Sequence, residues 1–129
     1  MRILGIKTKN APLPIGPYSQ AVKFGDLLFC SGQIGLDPKS GNLVKGGIEK
    51  EARQVFENLS AILSSAKSGF KNVLRVEIFL INLNDFNKVN NIYSEYFSSK
   101  VKPARVTVEV SKLPKEASIE ISCIAYINK

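Results

Sequence analysis

Two charged residues near the C-terminus, Arg105 and Glu120, are the first candidates for chemistry. Arg105 lies in Pro103-Ala104-Arg105-Val106-Thr107-Val108-Glu109-Val110, and Glu120 lies in Ile119-Glu120-Ile121. Polar residues alternate with aliphatic ones in both stretches, the period-two pattern of strands with one buried face. Arg105, Thr107 and Glu109 then point one way, and Val106, Val108 and Val110 the other. On this reading the guanidinium and the carboxylate sit on neighbouring strands, each at the mouth of an apolar layer. A guanidinium is always charged and offers a planar fork of donors to a ligand carboxylate. A glutamate nearby can hold or move a proton. The competing reading is an ion pair that ties the two strands together.

Composition narrows the other chemistries. The chain has 129 residues, the size of a single domain with its own core, expected to span residues 1–129. It contains no histidine and only two cysteines, Cys30 and Cys123, each inside an apolar strand-like segment. A zinc site, a Ser-His-Asp triad and a Cys-His pair are therefore not expected. Both thiols read as small buried hydrophobes. The formal charge of +7 raises the question of nucleic acid. The lysines that carry most of it are scattered, and no aromatic-rich strand resembles an RNA-binding platform, so a basic solvated surface is preferred. No apolar run approaches the roughly 20 residues that span a bilayer. Ile3-Leu4-Gly5-Ile6 is too short for the core of a signal peptide, so a cytoplasmic protein is expected and no membrane partner.

The elements that must position Arg105 and Glu120 follow in order. Residues 2–9 alternate loosely and suggest a first strand. Pro12, Pro14 and Pro17 then exclude helix and make a stiff loop suited to presenting Tyr18. Residues 21–24 and 27–31 read as a hairpin around Gly25-Asp26, with Ser31 at the strand end and Gly32 just past it. Gly46-Gly47 lacks the Lys-Ser/Thr ending of a phosphate loop. Ile48, Ala52, Val55, Leu59, Ile62, Leu63 and Ala66 fall on one stripe of a helix, with Gly69 as its expected cap. Val73 to Ile81 is nearly continuously apolar, as for a strand covered on both faces. Asn82 or Asn84 is the expected cap of a second helix whose stripe is Phe86, Val89, Tyr93, Tyr96 and Phe97. Leu113-Pro114-Lys115-Glu116 links the last two strands. The result is an α+β domain. Two helices cover one sheet face, so the other face must meet something, and the simplest partner is another copy of the chain.

Several motifs in this order resemble the RidA/YjgF family over nearly the whole chain. They are Ile15-Gly16-Pro17-Tyr18-Ser19-Gln20, Ser31-Gly32-Gln33-Ile34, Leu83-Asn84-Asp85-Phe86 with Val89-Asn90, Pro103-Ala104-Arg105, Leu113-Pro114-Lys115 and Ile119-Glu120-Ile121. The resemblance implies a chorismate-mutase-like mixed β-sheet with two helices packed on one face, assembled as a homotrimer with three clefts between subunits. It implies a cofactor-independent deaminase that hydrolyses enamines and imines of the 2-aminoacrylate type to 2-keto acids and ammonia. Its substrate would be a small imine or enamine bearing a carboxylate. Arg105 would then clamp the substrate carboxylate, and Glu120 would position water or relay its proton. Tyr18, Ser31, the Gly32 backbone and Asn90 would line the cleft. Thr107 stands where bacterial relatives often carry cysteine, so thiol-dependent behaviour at that position does not carry over. Two alternatives remain: an RNA-binding or endoribonuclease-like protein, which the basic charge supports only weakly, and a non-catalytic ligand-binding regulator.

Overall fold

In a computed structural model the described residues are 2–128, so Met1 and Lys129 of the expected domain fall outside them. Strands β1 (Ile3–Ile6), β2 (Ala21–Phe24), β3 (Leu27–Gln33), β4 (Val73–Leu80), β5 (Ala104–Glu109) and β6 (Ile119–Tyr126) form one sheet, ordered β1-β2-β3-β6-β4-β5. Only β4 and β5 pair in parallel, joined through helix α2 (Phe86–Tyr96); the other pairs are antiparallel. Helix α1 (Ile48–Ser65) carries the chain from β3 to β4, passing over β6. This is a mixed sheet with two helices on one face.

The core follows from the alternation of side chains. Leu28 and Cys30 on β3, Val76, Ile78 and Leu80 on β4, and Ile119, Ile121, Cys123 and Ala125 on β6 all point toward the helices and are buried. The α1 stripe Ala52, Val55, Phe56, Leu59, Ile62 and Leu63 meets them. Phe56 also stacks on Tyr96 at 4.6 Å between ring centroids and packs edge-on against Tyr93 and Phe97, which fixes α2 beside α1. Buried polar groups tie the loops to this core. Asn58 donates from Nδ2 to the carbonyls of Ile34 and Leu36, and Glu51 Oε1 accepts from the Ser118 amide at 2.8 Å.

Three local expectations are corrected. Gly69 is extended and does not cap α1. Lys67 takes the left-handed position instead, with φ 61°, and the Ser68 amide closes on the Leu63 carbonyl at 2.8 Å in a Schellman motif. Asn82 caps not α2 but the short 3-10 turn Leu83–Asp85 before it, accepting from the Asn84 amide. In β5 the faces are reversed: Arg105 and Thr107 face the helix side, opposite Val76 and Ile78 of β4, whereas Val106 and Val108 lie on the open face. The sequence pattern fixed the alternation but not its direction.

Within one chain β4 is likewise covered on one face only. Phe24, Phe29, Phe79, Val106, Val108 and Ile124 stand on the helix-free face, and Phe29 and Val108 are each about two-fifths exposed. Arg75, Glu77, Glu120 and Ser122 stand among them, yet large apolar side chains left exposed on one sheet face are what self-association removes from water. Native mass spectrometry at micromolar concentration should therefore show an oligomer, and Phe29→Glu with Val108→Glu should shift it to monomer. A stable wild-type monomer would contradict this.

Candidate functional site

The candidate residues fall into two groups. The first gathers around β3 and β6. Gln20 is buried, and its Nε2 donates to the carbonyls of Thr8 and Pro12 while its Oε1 accepts from the Thr8 amide at 2.7 Å. The proline loop is thereby closed onto the sheet, and Tyr18 projects from it, its hydroxyl accepting from the Ile15 amide at 3.3 Å. Ser31 donates its hydroxyl to the Ser19 carbonyl at 2.6 Å, and its amide bonds the Gln20 carbonyl. Its oxygen keeps lone pairs for a ligand.

Gly32 is not past a strand end, as expected, but inside β3. Cys30 pairs with Cys123 and Gln33 with Ile121, so β3 takes three steps while β6 takes two. The extra residue is a bulge that re-aims Ser31 and Gly32. A Cβ at Gly32 would lie 2.7 Å from Glu120 Cδ, so only glycine lets the Glu120 side chain lie across the strand. Glu120 has no ion-pair or hydrogen-bond partner among the described residues, and burial raises its carboxyl pKa above the ordinary value. Ile15, Tyr18, Ser31, Gly32, Pro114 and Glu120 line one open depression of about 330 Å³.

The second group sits on the edge strand β5. Arg105 donates from Nη1 to Asn90 Oδ1 at 2.8 Å, and its guanidinium carbon lies 4.7 Å from the Tyr93 ring centroid and 5.5 Å from that of Phe86. Thr107, two residues on and on the same face, holds a buried hydroxyl oxygen with no partner. No carboxylate among the described residues reaches Arg105; the one salt bridge among them joins Arg53 and Glu95.

The two groups do not meet within one chain. The expectation of neighbouring strands is overturned because β4 lies between β6 and β5. Arg105 pairs with Val76, which is buried under the helices, whereas Glu120 pairs with Phe79 on the open face. Two strand spacings across and three residues along β4, about 14 Å together, and the sheet itself separate them. The alternative of a structural Arg105–Glu120 ion pair fails for the same reason. Phe86 and Tyr93, read from sequence only as core positions, turn out to hold the guanidinium. Ile15 and Pro114 join the Glu120 group, and their place in the family motifs was the only signal for them.

A mixed sheet with two helices on one face, an arginine at its edge and a glutamate crossing a glycine bulge define the class of protein. The chain belongs to the RidA/YjgF family, and the profile described as endoribonuclease L-PSP matches residues 8–127. A RutC family protein of Pyrococcus horikoshii is 55% identical, the match covering 94% of this chain and 95% of that protein. The human protein named 2-iminobutanoate/2-iminopropanoate deaminase is 48% identical, over 93% of this chain and 87% of the relative. The crystal structure of a Rid-family protein of unknown function from Yersinia pestis superposes with a TM-score of 0.95 at 47% identity, covering 98% of this chain and all of that one.

The Gly32–Glu120 contact makes two predictions. Gly32→Ala should push the Glu120 side chain aside and cut activity by roughly two- to tenfold while the protein stays folded, since the clash meets a side chain and not the backbone. Unchanged activity would show that the carboxylate needs no such placement. Glu120 also makes stability depend on pH. Its folded pKa is raised, so the folded state holds a proton that the unfolded state has released, and stability falls as pH rises from the ordinary carboxylate range through the raised value. Glu120→Gln removes this loss. Thermal melts at pH 4 and pH 8 should show a smaller difference for the variant than for wild type, with the variant melting no lower at pH 8.

Proposed function

We propose that the chain is a cofactor-independent deaminase that hydrolyses 2-aminoacrylate-type enamines and imines to 2-keto acids and ammonia. The observation that carries this reading is the guanidinium of Arg105, held in place by Asn90 and two rings yet without a carboxylate partner among the described residues. A charged fork kept free is suited to a ligand carboxylate. The family relationship and the name of the human relative support the reaction class.

The site is completed by a second copy of the chain. Arg105, Asn90 and Thr107 of one subunit face Tyr18, Ser31, Gly32 and Glu120 of its neighbour, in a homotrimer with three such clefts. This reading reconciles the separation of the two groups with a single cleft, and it places the apolar open faces in the middle of the assembly.

The reaction asks little of the protein. An enamine takes a proton at its methylene carbon and releases one from its nitrogen, becoming an imine whose carbon is electrophilic. Water adds to that carbon, its proton passing to the Glu120 carboxylate; the resulting carbinolamine loses ammonia and leaves the keto acid. Arg105 holds the substrate carboxylate and so fixes the imine carbon against the water. A carboxylate with a raised pKa is a stronger base once ionised, and so takes the proton of the attacking water more readily than a fully solvated one. Tyr18 and Ser31 supply hydroxyls that orient the water or the imine nitrogen. In the regulator alternative the same cleft binds without turnover. In the RNA alternative Lys and Arg contact phosphate.

Keto-acid release from enzymatically generated 2-aminoacrylate tests the reading. Wild type should accelerate release. Arg105→Lys keeps the charge but loses the fork, and should cost roughly ten- to a hundredfold in kcat/KM. Wild-type binding without acceleration would favour the regulator. RNA binding that falls steeply with salt and survives Arg105→Lys would favour nucleic acid. The two-copy site has its own test. Arg105→Ala and Glu120→Gln, each inactive alone, are unfolded and refolded together in equal amounts, which should leave about one site in four with both groups. No recovery on mixing would place both groups in one chain's site.

A further inference from the structure

Helix α2 presents Phe86, Asn90 and Tyr93 at spacings of four and three residues, which puts them in one row along a single helix face. All three touch the same guanidinium. We propose that Phe86 and Tyr93 are positioning residues that cradle Arg105, fixing the plane and the open edge that it offers to an α-imino carboxylate. The proposal rests on the deaminase reading of the same site and goes a step inward from it.

The argument begins with the strand. β5 is an edge strand, and a long side chain there has many rotamers to lose before it can grip a ligand. Asn90 fixes one nitrogen, Nη1, and a single hydrogen bond leaves the group free to swing about it. The two rings remove that freedom by covering a face of the ion, since the electron-rich ring faces attract a cation and its planar body packs on them. With Nη1 engaged and a face covered, Nε and Nη2 remain as the paired donors along the far edge. A carboxylate can then be met in the guanidinium plane through two parallel hydrogen bonds.

The two rings are anchored differently. Tyr93 is buried and packs on Phe56 and Phe97, so it belongs to the core as well as to the cradle. Phe86 is 36% exposed at the first turn of α2 and lies outside the main apolar cluster. A change at Phe86 therefore tests the cradle with little cost to the fold. The Tyr93 ring faces the ion and its hydroxyl makes no hydrogen bond to the guanidinium among the described residues, so phenylalanine should replace it there.

The experiment uses the assembled protein and three variants, Phe86→Leu, Tyr93→Phe and Tyr93→Leu. The probes are 2-aminoacrylate turnover, calorimetric binding of pyruvate, and the Nε–H resonance of Arg105, one of four arginines in the chain. Phe86→Leu should weaken pyruvate binding and raise KM by roughly three- to thirtyfold with a smaller change in kcat, because the clamp acts on binding of the carboxylate. Its Arg105 resonance should move as the ring current is lost, with the melting temperature within a few degrees of wild type. Tyr93→Phe should behave as wild type, and Tyr93→Leu as Phe86→Leu or worse. A Phe86→Leu variant with unchanged KM and pyruvate affinity overturns the cradle. So does a wild type that binds no pyruvate. If wild type binds pyruvate but turns over no enamine, the deaminase reading fails while the cradle is still decided by the binding and resonance shifts.

Discussion

The pairing of β4 with both β6 and β5 is the constraint on which the site depends. β4 runs antiparallel to β6 and parallel to β5, and its own alternation is copied to each neighbour. Val76 is directed to the helices, and Arg105 opposite it must be too; Phe79 is directed away, and Glu120 opposite it must be too. A one-residue slip in either pairing would move a functional group to the other face. The buried Ile119, Ile121, Cys123 and Ala125 make a slip of β6 expensive, since it would expose all four, and the buried Val76, Ile78 and Leu80 hold in place the strand on which β5 is registered. The core thus sets the address of both charged groups, although neither of them contributes to it.

The Glu120 side of the site shows a second dependence, of electrostatics on backbone. The bulge in β3 is required for Gly32 to pass beneath the glutamate, and the absence of a side chain there lets the carboxyl rest against the sheet. That contact strips water from the carboxyl, and loss of hydration disfavours its charged form. No salt bridge among the described residues reverses the effect. The carboxyl is tuned here by an extra residue in a strand and a missing Cβ. The hydrogen bonds of Gln20 and Ser31 keep the adjoining loop from collapsing onto it.

Much of this was legible in the sequence. The stripe from Ile48 to Leu63 gave α1, and the stiff loop, the hairpin and the apolar run of β4 came from prolines, glycines and periodicity. Cys30 and Cys123 are buried, as their surroundings suggested. Direction was harder. Alternation in β5 says that two faces differ, but a valine face can meet this chain's helices or another surface, and only the strand order decides which. Strand order is a long-range property: β6 inserts between β3 and β4, and no local pattern in residues 119–126 announces it. For the same reason Arg105 and Glu120 read as neighbours. The cap at Lys67 was missed because a lysine in the left-handed region overrides the usual preference for glycine, which was present nearby and served another turn.

The separation of the two charged groups has a chemical consequence of its own. If Arg105 and Glu120 stood side by side in one chain, each would satisfy the other. The ion pair would pull the glutamate's pKa down and occupy the fork that a ligand needs. Keeping them on opposite faces with a strand between leaves, among the described residues, the guanidinium with Asn90 and two rings and the carboxyl with no ion pair. Both groups are therefore folded in a form that still wants a partner. In the proposed cleft a substrate would provide it, its carboxylate on the arginine and its water or nitrogen on the glutamate, with the length of the substrate holding the two apart. A site divided between copies is in this view a way to hold opposite charges near one ligand without letting them neutralise each other first.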